Sequence, residues 1–353
     1  MKKEILILSL LFIMFSCKEI PNSKSLNATF KKSEALIHYN SMNASEYLMG
    51  SPVKMLHVDS LLIILDYASE SFFHVFNVEK NKYLGNWGLK GQGPNEFLQP
   101  FSLTYLSPSN FLTYDLFDNS LKKISIDTLK AGKIIYEKVL SLNSISNLAI
   151  LPVKDNNYVS FGMYNSNMFK ILDSRGNKIG SFMDFPVENK TDKKNIDNRN
   201  LAMAYQGSLA MNPNRDKFVY VAYNATIFGI YSIENISINL DFLLTYNYPK
   251  FFVNNSDGET SSPITKEAIN GFLDVYVNDK YIYALYSGKN IIEFKENANQ
   301  GKEIYVFDWT GRPIIHYNLD IPIKNIAVLP TNKKIYAIAN YPEPTLVEFN
   351  INL

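Results

Sequence analysis

Residues 52–87, PVKMLHVDSLLIILDYASESFFHVFNVEKNKYLGNW, decide the fold. Four strand-like runs follow one another here, at roughly 52–58, 61–66, 71–78 and 82–87. They are rich in the β-branched and aromatic residues that suit a pleated surface, and polar pairs separate them. The third run ends in an apolar residue followed by a small polar one, Phe76-Asn77. That ending recurs at Ile126-Asp127, Leu172-Asp173, Tyr231-Ser232, Phe307-Asp308 and Phe349-Asn350. Several copies then reverse through polar and glycine residues, as in Asp173-Ser174-Arg175-Gly176-Asn177 and Asp308-Trp309-Thr310-Gly311-Arg312. Such residues suit tight hairpins.

Working outward, each ending has two strand-like runs in front and usually one behind. Further units begin near residues 101, 147, 206, 271 and 324. The mean step is about 54 residues, near the period of four-stranded propeller blades once insertions are allowed. The sixth unit has only three runs, 324–328, 334–339 and 345–350, before Leu353. A spare run, Glu34 to Tyr39, precedes the first unit. An unpaired last blade would expose a sheet edge, so the spare run is expected to complete it. The expected fold is therefore all-β: a six-bladed β-propeller over residues 34–353, its blades four-stranded and antiparallel. The N-terminal strand pairs with the last blade and closes the ring. Seven blades is the alternative count. Two insertions interrupt the period, 183–205 with a helix-capable stretch Arg199 to Ala204, and 247–270 with a helix start at Ser262 to Glu267.

The N-terminus reads as an address. Lys2 and Lys3 precede an apolar run from Ile5 to Phe15, broken only by Ser9 and too short to span a bilayer as a helix. Met14-Phe15-Ser16-Cys17 resembles a bacterial lipobox, although Met14 and Phe15 depart from its tighter form. Residues 1–16 are then a lipoprotein signal peptide, Cys17 the lipid attachment site, and 17–33 the lipidated Cys and tether. Several acyl chains make such an anchor stable. An ordinary secretory signal with an incidental Cys is the alternative.

Composition narrows the chemistry. Thirty-five Lys and Arg stand against 34 Asp and Glu in 353 residues, which argues against nucleic acid as a partner. Apolar residues make up 46% of the chain, including 23 Tyr and 23 Phe, which argues against disorder. The lone Cys excludes a disulfide framework. His38, His57, His74 and His316 each sit in a strand-like run and show no ligand spacing, so no metal site, no cofactor and no catalytic residue is expected. Gly88-Leu89-Lys90-Gly91-Gln92-Gly93-Pro94 lacks both the P-loop ending and the third Gly of a dinucleotide fingerprint. It reads as an inter-blade crossing, with Gln92, Pro94 and Glu96 as a candidate binding loop at the propeller mouth.

With these residues in view, the chain resembles the TolB-like, six-bladed β-propeller lipoproteins of Bacteroides-type bacteria. The resemblance rests on Gly91-Gln92-Gly93-Pro94-Asn95-Glu96-Phe97 with Pro100, on Gln206-Gly207-Ser208-Leu209 with Asn212-Pro213, and on Asp274 with Tyr281 to Gly288. Asn95 stands where that family often has Gly. The resemblance implies the fold and a lipid anchor, and no common activity. The expected function is a lipid-anchored binding or scaffold module of the bacterial cell envelope, on the periplasmic or surface face of the outer membrane. It would recognise a protein or glycan at the propeller mouth. The alternative is an enzyme, a hydrolase or lyase acting on a sugar or lactone in the central pocket.

Overall fold

The computed structural model describes residues 26–40, 47–143, 146–188, 196–254, 260–340 and 343–353. Cys17 and the signal segment 1–16 lie outside the described residues. The first unit folds as expected into Pro52–Val58, Leu61–Asp66, Ser71–Asn77 and Lys82–Leu89, each antiparallel to the next. Second, third and fourth four-stranded antiparallel sheets begin at Thr104–Ser107, Asn147–Pro152 and Gly207–Met211. The chain is an all-β propeller of four-stranded antiparallel blades.

The rest of the chain forms one eight-stranded sheet. Its hub is a single strand, Pro313–Val328, where the sequence reading has two. Residues 313–318 of this strand pair with the preceding strand Gly301–Asp308, and residues 323–328 pair with Lys334–Asn340. Among residues 313–328 none is glycine and none has a positive φ, and Pro322 fixes a φ that extended backbone accommodates, so the strand continues as it crosses over.

The spare run also differs from its expected single strand. Ser33–Leu36 lies parallel to residues 316–319 of the long strand, and His38–Asn40 lies antiparallel to Pro344–Asn350. Two edges are thus covered by one short segment. His38 Nδ1 lies 2.8 Å from Asp320 Oδ2 at the bend between them. The packed chain begins before residue 34. Leu26 is buried, and the Phe30 ring lies 5.1 Å from those of both Tyr305 and Phe307.

Alternation along each strand sends apolar side chains to both faces, and these fill the wedges between neighbouring sheets. Leu56, Ile63, Phe73, Phe111 and Ile124 pack the first sheet on the second. Leu112, Tyr114, Ile150 and Leu172 join the second to the third, and Phe161, Phe169, Phe218 and Tyr220 join the third to the fourth. Val219, Phe228, Phe272 and Phe307 continue into the eight-stranded sheet. Met55, Leu62, Ala327 and Ile338 join its C-terminal half to the first sheet.

The first insertion carries the expected helix, Asn198–Ala204, whose Asp197 cap accepts from Arg199 N. The second does not begin a helix at Ser262. Bridges Phe251↔Ile264 and Asn254↔Ser261 hold it extended instead. Tertiary contact decides this. Asn200 of the helix donates to Ser261 O at 2.8 Å and Ser262 Oγ donates to Asn200 O at 2.8 Å, so the extended segment is docked on the helix.

Candidate functional site: the central channel

The first strands of the sheets converge on a channel of about 480 Å³. Two β-bulges aim polar side chains into it. The ladder of the first sheet shifts register between Pro52 and Lys54, and that of the eight-stranded sheet between Phe272 and Asp274. A bulge bends its strand and redirects the side chain beside it. Here the result is a contact across the channel. Lys54 Nζ lies 2.7 Å from Asp274 Oδ1 and donates to Ser208 Oγ of the fourth sheet at 2.8 Å.

Asp274 is well held. Its Oδ1 also accepts from Val275 N at 3.0 Å, and Oδ2 accepts from Ile326 N at 3.2 Å. Burial by itself would lower the Lys54 pKa, but the Asp274 charge and hydrogen bond outweigh it and hold Lys54 protonated, above its ordinary value. An ammonium has three donors, and two are engaged here by described residues. Tyr67 stands nearby, donating to Pro100 O at 2.9 Å, and burial pushes its hydroxyl up to about 12.

Three residues along the same strand as Lys54, His57 borders the channel. It is 6% exposed, and neither ring nitrogen has a hydrogen-bond partner among the described residues. Burial lowers its pKa to about 4, with Asp59 opposing, so the ring is neutral at pH 7. A buried polar group left unpaired costs about 1–3 kcal/mol. The strand therefore carries a group that is destabilising unless something else meets it. Tyr276 crosses from the eight-stranded sheet to donate to the His57 carbonyl at 3.4 Å.

The charged side chains along the channel are Lys54, Lys280, Asp274 and Asp279, two of each sign. Tyr105, Tyr223, Tyr276 and Phe101 supply aromatic surface. Among the described residues, no three His, Cys, Asp or Glu side chains converge as a metal site.

Gln92, Pro94 and Glu96 do not line the channel. Gln92 and Pro94 are exposed, and the Glu96 carboxylate turns back to accept from Gly93 N at 2.7 Å. That bond ties the loop to itself. Asn95 adopts φ 61°, the left-handed conformation that Asn tolerates and Gly favours, so its departure from Gly leaves the turn intact. His74 bonds Ser69 and Tyr83, and His316 stacks on Tyr305 with ring centres 4.6 Å apart, both as packed strand histidines. In sequence His57 shares the setting of these strand histidines, and nothing local singles out Lys54. A bulge has no residue signature, and an orphaned nitrogen is visible only once its neighbours are placed.

A family model described as TolB-like 6-blade propeller-like matches residues 29–331, and the chain belongs to that family. No curated protein matches it. Among solved structures, the chain is similar to a protein from Bacteroides fragilis NCTC 9343 described as exported. The two share 13% identity over 90% of this chain and 95% of that one, with a TM-score of 0.56. It is also similar to a member of the DUF4221 family from Bacteroides vulgatus ATCC 8482, at 12% identity, 90% and 96% coverage and a TM-score of 0.51. At these identities the likeness concerns the fold.

Proposed function

We propose that this TolB-like propeller is a binding module of the bacterial cell envelope. It is held to the membrane by lipid on Cys17 and receives its ligand, a glycan or a protruding part of a partner protein, in the central channel. The observation that carries the reading is the channel itself, with Lys54 held across it by Asp274 and Ser208 and aromatic side chains along its wall. A formed cavity with a few convergent polar groups and aromatic walls favours a site that something enters. The n-region, the short apolar run and Cys17 support export and anchoring, and the exported Bacteroides protein of similar fold is consistent with them.

The blade count belongs to the same reading. Seven strands of the eight-stranded sheet are two four-stranded blades sharing Pro313–Val328, with Ser33–Leu36 added alongside as the eighth, and with the four separate sheets this makes six blades. His38–Asn40 is the strand that closes the ring.

Crosslinking in intact envelopes tests the function, using the wild-type chain beside Cys17→Ala. The wild type is expected to label with fatty acid and to give a reproducible crosslink from a photoreactive group placed at Tyr105. Unlabelled wild type would remove the anchor. A channel group that captures neither protein nor glycan would remove the binding module.

A further inference from the structure

We propose that one end of the propeller rests on a lipid surface, an orientation that depends on the lipid-anchor reading above and turns the far rim of the channel away from the membrane. Hydrogen bonds define which residues form that end. In the first four sheets, the residue after the second strand donates to the crossing ahead of the first strand, as Tyr67 N does to Ser51 O and Leu116 N to Gln99 O. In the eight-stranded sheet, Ile291 N, just after Tyr281–Asn290, donates to Ala268 O, just ahead of Ile269–Val277. The turns after the second strands and the crossings between sheets therefore share one end of the ring.

Exposed apolar side chains collect at that end. Among the described residues, thirteen large hydrophobic side chains are exposed, and eight of them stand on these turns and crossings, so the surface is strongly one-sided. Leu48 stands at the crossing into the first sheet. Leu89, Phe101 and Phe117 surround the crossing from the first sheet to the second. Phe252 and Val253 stand on the insertion that leads from the fourth sheet to the eight-stranded one, and Ile292 and Phe294 on the turn beside it. Leu48, Phe117 and Phe252 are 66–79% exposed, too far out to count as the margin of the core. The other five lie on outer strands or on the turns leading into them, the ordinary scatter of a protein surface.

The place where the chain enters the fold says what covers this end. Leu26 is buried between the fourth sheet and the eight-stranded one, among Val219, Phe228, Phe272 and Phe307. Asn27 bonds Glu303 and Tyr305, and the Thr29 hydroxyl lies 2.7 Å from that of Tyr246. The 247–270 insertion leaves from Tyr246, and the turn carrying Ile292 and Phe294 leads into the strand that holds Glu303. Cys17 is nine residues ahead of Leu26, a reach of about 30 Å at most. A domain of this length has a radius of gyration of about 20 Å and spans about 50 Å, so the tether holds this end to the bilayer and cannot bring the opposite one there. The apolar groups around Phe117 and around Phe252 lie across the ring from each other. A docked loop or helix would cover one of them, whereas a lipid surface meets both at once. Exposed charges beside the second group are of both signs, Lys266 and Lys295 with Glu267 and Glu293, so the contact is apolar and does not depend on anionic lipid. The channel rim formed by Pro213, Asp279, Lys280 and Thr331, on turns between first and second strands, then faces away from the membrane and receives the ligand.

The test uses the full-length lipidated protein in vesicles of phosphatidylcholine brominated on its acyl chains. Lipid occupies Cys17, the lone Cys, so one introduced cysteine carries a fluorophore uniquely. Labels on Phe117→Cys and Phe252→Cys are expected to be quenched at least threefold more than a label on Lys280→Cys. Equal quenching at the three sites, or stronger quenching at 280, overturns the proposal and leaves the anchor standing. A chain beginning at Lys18 keeps every described residue and carries no lipid, so it tests the face apart from the anchor. It is expected to bind phosphatidylcholine vesicles weakly, and no more tightly when phosphatidylglycerol is added. Combining Phe252→Ser with Ile292→Ser should weaken that binding at least tenfold at an unchanged melting temperature, because both side chains are exposed. Undiminished binding by this variant, or binding only with phosphatidylglycerol present, overturns the proposal. Self-association through residues 252 and 292 without vesicle binding overturns the lipid surface in favour of a second copy of the chain. A wild type without fatty acid removes the anchor reading, and the Lys18 chain then decides the face by itself.

Discussion

The first two sheets and the next two solve one local problem with different chemistry. In all four, the residue after the second strand donates back to the loop ahead of the first strand: Tyr67 to Ser51, Leu116 to Gln99, Met163 to Ser146 and Tyr223 to Gln206. The second strand ends at Asp66 and Asp115 in the first pair of sheets, and at Gly162 and Ala222 in the second pair. Across the ladder, both Asp residues face Pro, while Gly162 faces Asn147 and Ala222 faces Gly207. The buried Asp66 carboxylate accepts from Gly50 N, Ser51 N and Ala68 N, and Asp115 from Leu98 N, Gln99 N and Asp118 N. In the third and fourth sheets the backbones close up instead. A Cβ on Gly162 would stand 2.0 Å from Ser146 O, and one on Gly207 2.0 Å from Val221 O. The repeat is therefore one of geometry. A blade crossing is closed either by a carboxylate or by the lack of a side chain.

The severest way to break this comparison is Asp115→Ala. It strands three backbone donors and leaves the Lys122 ammonium, 2% exposed and 2.7 Å from Asp115, without its best partner. A loss of about 3–5 kcal/mol is expected by urea denaturation. A loss under about 1 kcal/mol would show that the clamp is dispensable. Asp66→Ala strands three backbone donors and loses the contact with His74 Nε2 at 3.4 Å, but leaves no ammonium behind, and should cost about 2–3 kcal/mol. Losses of equal size in the two variants would mean that Lys122 adds nothing.

Acid titration then separates the clamp from the channel. Burial raises the Asp66 carboxyl, but hydrogen bonds from His74 and from the Ser51, Gly50 and Ala68 backbone outweigh it and hold it well below the usual carboxylate range. The His57 pKa is about 4 when folded, against an ordinary value near 6.5. Between these two pH values the unfolded chain binds the extra proton, so stability is full above pH 6.5 and falls as pH drops toward 4. The fall from this group amounts to at most about 3 kcal/mol. His57→Phe should flatten that limb while the Asp66 clamp stays ionised through it. An unchanged pH profile in that variant would assign the titration elsewhere.

The mildest test is Gly162→Ala, whose added carbon presses on a backbone oxygen that cannot rotate away. About 1–3 kcal/mol is expected. A neutral result would mean that the third sheet relaxes freely and that glycine there is incidental.

Much of the fold was legible because hydrophobic period and turn chemistry are local. The four strands between Pro52 and Leu89 follow from alternation and polar pairs, and the helix Asn198–Ala204 from its apolar spacing behind an Asp cap. The continuous strand Pro313–Val328 was not legible, because an extended crossing and a loop between two strands look alike in residues. The site was less legible still. Asp274 and the stretch Gln206 to Leu209 marked the family likeness, yet nothing local says that Lys54, 220 positions before Asp274, lies against it. Gln92 and Glu96 looked like a binding loop because glycines and polar residues suit one, but the Glu96 bond to Gly93 N ties that loop to itself.

The sequence by itself determined the strands, the reversals between them and the lone Cys17 behind an apolar run, since each depends on residues within reach of their neighbours along the chain. Only the tertiary structure decided which strand pairs where, and hence which polar groups meet and which are left alone. Two bulges bring Lys54 to Asp274 across the channel, and packing takes water from His57 while offering its nitrogens no partner among the described residues. Desolvation and register belong to the assembled sheets, and no single strand carries either one in its residues.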